Sequence, residues 1–319
     1  MKIEEVNHVA IIGTGMIGAS LAALFTGNGY RTTMMALDEQ DGINGLTRYR
    51  TTFEDLIRSG LVKAWQAKAC EELLSVEESY ETIADADFVY ECVIEDYDVK
   101  KSVYRKLENH CTRLKGISSS SSAMDTNYLS TAFSNPEFKK LFAAAHPWNP
   151  PHLVPCVEIV KGDDTSDEAL SFICCLLESC GRAPVVMHKS VPGFIANRLQ
   201  HALYREAANM VERGIASPED IDRALMTSFA PRYSSIGIFQ HYDYVGLDMI
   251  LSIQKVLYPD LAATSDPDSL VVEAYERGDL GYKTGKGVLD WEGVDIDLYR
   301  EKAASPYLKF FNWSLPEES

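Results

Sequence analysis

Apolar positions along this chain of 319 residues follow two alternating rhythms first, and a single one later. His8-Val9-Ala10-Ile11-Ile12 is a β-branched run that stops at Gly13 and reads as a strand. Leu21, Leu24 and Phe25 recur at helical spacing, and Asn28-Gly29 supplies a helix stop. A second strand is expected over Arg31 to Ala36, with others over 87–94, 116–120, 141–146, 156–161 and 183–188. Helical stretches fall over 51–75 and 98–112. Strand and helix in alternation predict an α/β fold built on a parallel, doubly wound sheet. Past about residue 188 the rhythm is helical alone. Phe194, Leu199, Leu203, Met210 and Val211 recur at helical spacing, and Ser217-Pro218-Glu219-Asp220 reads as an N-cap with proline in the first turn.

Between the first strand and the first helix lies Gly13-Thr14-Gly15-Met16-Ile17-Gly18. In such a GxGxxG, the first glycine makes the tight turn and the second lets a pyrophosphate approach the backbone. The third lets helix and strand pack closely. Opening a helix adds free N–H groups and a partial positive charge. A dinucleotide is therefore the expected cofactor, and an N-terminal Rossmann domain over 1–189 is expected to precede a C-terminal all-α domain over 190–319. Asp38 lies about 20 residues past Gly18, where an acidic residue usually grips the ribose. Counting from Gly29 puts Ala36 at that place instead, so Asp38 is either a ribose ligand or a loop-entry carboxylate. No arginine follows closely, the next being Arg48, which favours NAD over NADP.

Composition narrows the class. A hydrophobic fraction of 46% and a charged fraction of 24% suit a globular chain of two domains. No apolar run reaches the roughly 18–20 residues of a membrane span. Met1-Lys2-Ile3-Glu4-Glu5 has neither a basic leader nor an apolar signal core and is expected to be the start of the fold. A net charge of −17 without a basic cluster argues against nucleic acid and anionic membrane as partners. Seven cysteines in no CxxC spacing suggest free thiols in a reducing, cytoplasmic setting, with no metal site.

His146, at a strand end, precedes Glu158 on the next strand by twelve residues. An imidazole can accept the proton of an alcohol as hydride leaves, and a carboxylate can fix its tautomer and stabilise the imidazolium. On residue types alone, a purely structural pair remains open.

His146-x-x-Asn149-Pro150 with Val157-Glu158 resembles the 3-hydroxyacyl-CoA dehydrogenase superfamily. So do Ser118–Ser122, Glu91-Cys92-Val93-Ile94-Glu95 with Lys100, and Pro192-Gly193-Phe194-Ile195-Ala196-Asn197-Arg198. Within it, His146-Pro147-Trp148-Asn149-Pro150-Pro151-His152 is most similar to the lambda-crystallin (L-gulonate 3-dehydrogenase) and carnitine 3-dehydrogenase branch.

The resemblance implies His146 as general base and Glu158 as its orienting carboxylate. Ser122 would bond the substrate oxygen, with Ser121 as the alternative register. Asn197 would face substrate, and Glu95, Lys100 and Asn149 would lie near the nicotinamide ribose. A homodimer through the helical domain is implied as well. The competing readings are a serine run bonded to its own backbone, Asn197 as a helix cap and Lys100 as an exposed charge. Arg232, in Ala230-Pro231-Arg232-Tyr233, is a candidate anchor for a substrate carboxylate. Asp243-Tyr244-Val245-Gly246-Leu247-Asp248 and Gly278-Asp279-Leu280-Gly281-Tyr282-Lys283-Thr284-Gly285-Lys286-Gly287 look more like the acyl-CoA branch. The expected function is therefore NAD-dependent oxidation of a small 3-hydroxy acid. An (S)-3-hydroxyacyl-CoA dehydrogenase is the alternative, and a non-catalytic NAD-binding or structural protein is a more distant one.

Overall fold

A computed structural model describes residues 3–318; Met1 and Lys2 of the acidic N-terminus lie outside that range. The strands are β1 (His8–Ile12), β2 (Arg31–Met35), β3 (Leu74–Glu77), β4 (Phe88–Glu91), β5 (Gly116–Ser119), β6 (Phe142–Pro147), β7 (Cys156–Lys161) and β8 (Ala183–Met187). They form one sheet in the order β3-β2-β1-β4-β5-β6-β7-β8. The order reverses between β1 and β4, the switch point at which doubly wound sheets bind ligands beyond the strand carboxyl ends.

Helices α1 (Met16–Gly27), α2 (Glu39–Arg58), α3 (Ala64–Glu71), α4 (Tyr97–His110), α5 (Thr126–Ser130), α6 (Pro136–Leu141) and α7 (Asp167–Ser179) connect these strands. Two large apolar clusters pack the sheet, with a small third of Ala144, Val160, Met187 and Phe194. One joins Leu21, Phe25, Phe53 and Phe172 from α1, α2 and α7, and the other joins Tyr104, Leu107, Leu129 and Phe133 around α4 and α5. Each fully buried side chain of this size contributes about 1.5–3 kcal/mol.

The α/β expectation holds, with two corrections. The sheet is not uniformly parallel: β7 runs antiparallel to β6, and β8 follows β7. A parallel crossover needs a dozen or more residues, and the short Trp148–Pro155 connection permits only a hairpin-like return. The single helix expected over 51–75 is instead the end of α2, a break, α3 and the start of β3. Ser59 and Gly60, the latter at φ 73°, stop α2. The Gln66 side chain then accepts from the Lys63 N–H at 2.9 Å and restarts the helix.

Residues up to Phe194 and from Lys302 onward form one compact unit, and Ile195–Glu301 form another. The tail, expected within the 190–319 domain, thus packs into the first. Trp313 lies 6.0 Å from the Phe53 ring, and a Cβ on Gly27 would fall 2.1 Å from its indole. The second unit carries α8 (Ala196–Glu212), α9 (Pro218–Thr227), α10 (Ile238–Val245), α11 (Leu247–Leu257), α12 (Ser269–Glu276) and most of α13 (Ile296–Ala304). Its only β pairing among the described residues is two isolated bridges at Lys286, in keeping with an all-α domain. Ser217 caps α9 through the Asp220 N–H, as expected.

Candidate active site

Gly13 sits at φ 112°, and a Cβ there would lie 2.8 Å from the Cys92 carbonyl oxygen on the neighbouring chain segment. A Cβ on Gly18 would fall 2.0 Å from the Gly13 oxygen, so strand and helix meet only because both residues lack side chains. Gly15 differs: a Cβ there would meet nothing within 4 Å. Its neighbourhood is open space above the first turn of α1, which has no side-chain cap and no acidic residue. Met16, Leu37 and Ile94, large and apolar, project into solvent where β1, β2 and β4 end. Free N–H groups facing an opening, flanked by exposed apolar side chains, fit a pyrophosphate with flat rings on either side.

Asp38 caps α2 by accepting from the Asp41 N–H at 2.8 Å. Asp41 in turn takes the Thr14 hydroxyl at 2.6 Å, and Arg48 donates to the Thr14 carbonyl at 3.3 Å. Arg48, sequence-distant from the end of β2, thus reaches back to the glycine loop. A cavity of about 450 Å³ beside Asp38 is lined by Glu39, Glu77 and Glu78, an acidic surround that disfavours the extra phosphate of NADP.

At the end of β4 lies a buried polar network. Lys100 is fully buried, and its Nζ donates to Glu91 Oε1 at 2.7 Å. Glu91 also accepts from the Tyr104 hydroxyl at 2.9 Å and the Ser119 hydroxyl at 2.7 Å. The structure therefore rejects Lys100 as an exposed helix charge. It equally gives the ammonium no direct access to a cofactor, and Glu91, the first residue of the Glu91–Glu95 motif, is its main partner. A lysine nine residues after a glutamate that ends a central strand was the available signal. The network continues outward. Lys100 Nζ is 3.4 Å from Glu95 Oε2, and Glu95 accepts from the Ser121 hydroxyl. Burial works to raise the Glu95 carboxyl, but Ser121 and the Lys100 ammonium outweigh it and hold the group below the usual carboxylate range.

The serine run separates into two kinds of position. Ser121 is buried and committed to Glu95, whereas Ser122 is exposed. Of the two registers left open, Ser122 is the hydroxyl still free to meet a ligand.

His146 and Glu158 stand directly opposite each other in the β6–β7 register. Twelve residues separate them because the chain reverses between the strands, so their side chains share one face. His146 Nδ1 lies 3.3 Å from Glu158 Oε2; the imidazole is 15% exposed and the carboxylate 1%. The Phe194 ring meets the imidazole edge-on at 5.6 Å. Trp148, absent from the expected set, donates its indole N–H to the same Glu158 oxygen at 3.1 Å.

The connection from Trp148 to Pro155 is tied down at two points. His152 meets the Ser20 hydroxyl of α1 through Nδ1 at 2.8 Å and through its own N–H at 3.1 Å. Burial, with the nearby Arg182 charge, pushes the His152 imidazole down to about 4, so it stays neutral. Arg182 donates to the Pro151 carbonyl at 3.0 Å and the Val154 carbonyl at 3.2 Å. Asn149, on this connection, is exposed.

In the second unit, Asn197 lies inside the first turn of α8, whose N-cap is Ile195; it is not the cap. Arg232 occupies a short 3-10 turn and donates to His241 Nε2 at 2.6 Å, with no carboxylate partner among the described residues.

Comparison with known proteins identifies relatives of this chain. The family model described as 3-hydroxyacyl-CoA dehydrogenase, NAD binding domain, matches residues 8–191, and that of the 3-hydroxyacyl-CoA dehydrogenase C-terminal domain matches 193–291. The 5-formyl-3-hydroxy-2-methylpyridine 4-carboxylate 5-dehydrogenase of Mesorhizobium japonicum is 29% identical over 89% of this chain and 90% of its own. A solved structure of such an enzyme, described as an NAD+ dependent dismutase, covers 95% of this chain and 97% of its own. It is 26% identical, with a TM-score of 0.82. Lambda-crystallin of Oryctolagus cuniculus is 33% identical over 74% of each chain. The L-carnitine dehydrogenase of Streptomyces coelicolor is 34% identical over 73% of this chain and 72% of its own.

Proposed function

This chain belongs to the 3-hydroxyacyl-CoA dehydrogenase family and is an NAD-dependent oxidoreductase, and from that premise we propose that it oxidises the 3-hydroxyl of a small free hydroxy acid, of the L-gulonate or carnitine type. The observation that carries the reading is the His146–Glu158 pair, in register on adjacent strands of the domain that holds the glycine loop.

The glycine loop Gly13–Gly18, with Met16 and Ile17 in its first helical turn, would hold the pyrophosphate, and Asp38, Glu95 and Asn149 would flank the riboses. Bound NAD supplies the hydride acceptor. Ser122 and His146 hold the substrate hydroxyl between them, and its proton passes to His146 Nε2. Glu158 keeps Nδ1 protonated, so Nε2 is the lone pair that faces the alcohol, and it stabilises the imidazolium that results. In the reverse direction the imidazolium returns the proton as the ketone oxygen gains charge, with the Ser122 hydroxyl sharing that charge. Lys100 acts from beneath: its buried ammonium holds Glu95 ionised and in place.

Two features favour a free acid. Two of the basic groups around α2 and α3 are already matched by acids, Arg50 by Glu71 at 2.5 Å and Arg58 by Asp55 at 3.2 Å, which leaves fewer for the phosphates of CoA. Arg232, lacking an acidic partner, suits a carboxylate, with Asn197 as a second polar contact. The acyl-CoA alternative draws on the family's own description and on the Gly281–Gly287 segment. A homodimer through the second unit completes the proposal, because α10 and α11 bury no residue and present Phe239, Leu247, Leu251 and Val256 to solvent in the single chain.

The test is NAD reduction followed by absorbance with L-gulonate, L-carnitine, free 3-hydroxybutyrate, 3-hydroxybutyryl-CoA and an aromatic formyl-carboxylate of the pyridine type. Turnover with free acids, and a KM raised about tenfold or more in Arg232→Ala, supports the reading. Turnover confined to the thioester overturns it and leaves Arg232 without a role.

A further inference from the structure

The register that sets Glu158 opposite His146 also brings in a third side chain. Trp148 stands two residues beyond His146, and its backbone N–H still pairs across the hairpin with the Cys156 carbonyl at 3.2 Å. Residues two apart in an extended run share a face, so the indole returns to the face that carries His146 and Glu158. Its Nε1–H reaches Glu158 Oε2 at 3.1 Å, the oxygen that lies 3.3 Å from His146 Nδ1. One oxygen of a buried carboxylate thus serves an indole and an imidazole together. In a site screened from water, each such bond carries more weight than it would at the surface.

We propose that Trp148 is a positioning residue of the proton-transferring pair: its indole fixes the Glu158 carboxylate and takes a share of the negative charge that would otherwise fall on His146. The proposal rests on His146 acting as the base. An indole N–H does not titrate, so Trp148 donates equally whether the imidazole is neutral or charged. It therefore keeps the carboxylate in one orientation through both halves of the reaction and limits how strongly the imidazolium is held. Without that limit, the proton accepted from substrate would be released more reluctantly.

Two other ionisable side chains of this part of the sheet stay neutral. Burial, with the charge of Glu158, pushes the Cys156 thiol up to about 11. Burial likewise raises the Tyr90 phenol, which donates to the Ala145 carbonyl at 2.6 Å. Phe194, against the imidazole, carries no charge.

Trp148→Phe keeps an aromatic ring and removes the donor. Charge returns to the Glu158 oxygen, the imidazolium gains stability, and the acid limb of kcat/KM for oxidation moves to higher pH by about half a unit. A ring that served only packing would leave that limb where it is. The wild-type protein offers a readout that needs neither substitution nor turnover. Among the four tryptophans, the 15N-labelled indole N–H resonance of Trp148 should shift with pH at the midpoint of the His146 titration, and Glu158→Gln should abolish that shift. The resonance is assigned by its loss in Trp148→Phe or, should that variant fold poorly, by elimination with Trp65→Phe, Trp291→Phe and Trp313→Phe. An indole resonance indifferent to pH, together with an unmoved acid limb, overturns the proposal. His146→Gln separates the two levels. If it retains turnover, the base assignment itself fails; if it is inactive while Trp148 is silent, only the role of Trp148 fails.

Discussion

In the first unit Val9, Ile11, Met34 and Phe88 are sealed from solvent, and the sheet they belong to carries His146 and Glu158 on adjacent strands. In the second unit the buried helical residues are Ala208 and Ala274, while Phe239, Leu251, Val256 and Tyr275 stand exposed. One unit has closed its core around a sheet, and the other leaves apolar faces for something else to cover. Among the described residues, the ion pair with both members fully buried lies on the same side of this division. The first unit buries Lys100 against Glu91, whereas the Arg213–Asp260 pair of the second is exposed and worth little. Proton transfer needs groups fixed to fractions of an ångström, and a sheet packed on both sides supplies that rigidity. Helices with open faces are better suited to assembly and to varying what is bound.

The sharpest way to break this comparison is at the pair itself. His146→Gln should lower turnover by roughly 10²–10⁴-fold, the usual worth of a positioned base, while leaving NAD affinity from fluorescence titration almost unchanged. A comparable loss of NAD binding would mean that the imidazole holds the fold together instead. Next in size is the second unit. Leu251→Glu places a charge on an exposed apolar face and should raise the dimer dissociation constant about 100-fold by sedimentation. NAD binding should survive, and a wild-type chain already monomeric at micromolar concentration would remove the premise.

The third effect is on stability and belongs to the first unit. The folded value of His152 is about 4 against an unfolded value near 6.5, so the unfolded chain takes up the proton first as pH falls. The stability contributed by neutral His152 is complete above about pH 6.5 and is lost as pH drops toward 4. From this group alone, denaturant titration should show a loss of about 2 kcal/mol between roughly pH 7 and pH 5. His8, lowered chiefly by burial, acts in the same direction. A His152→Asn variant with the same pH slope as wild type would show that His152 is not the titrating group. The smallest effect is at the helix cap. Asp38→Ala should cost about 1 kcal/mol through the lost bond to the Asp41 N–H. NAD affinity should weaken beyond that only if the carboxylate also grips the ribose, which compares the variant's melting shift with its binding constant.

How far the sequence revealed these features depended on how local their causes are. β1, the glycine loop and α1 are legible because a five-residue β-branched run, three spaced glycines and an Asn-Gly stop act within one neighbourhood. β3 is not, because Leu74–Glu77 is a short, half-buried strand that blends into the helix before it. The direction of β7 does not show in its composition either, since strand patterning carries no polarity; only the length of the connection before it does. His146 and Glu158 were legible through motif and spacing. Glu91 and Trp148 were not, because their roles come from which neighbour the sheet brings to them. Trp148 did leave a trace, its two-residue offset from His146, but that offset means a shared face only once the run is known to be extended.

The most direct test of the central claim is to follow the hydride itself. A free 3-hydroxy acid carrying deuterium on C3 is incubated with the full chain and NAD, and the reduced cofactor is examined for label at C4 of the nicotinamide. Direct transfer of one deuterium, lost together with turnover in His146→Gln, is the predicted result. Unlabelled product, or label arriving only from the CoA thioester, would contradict the account.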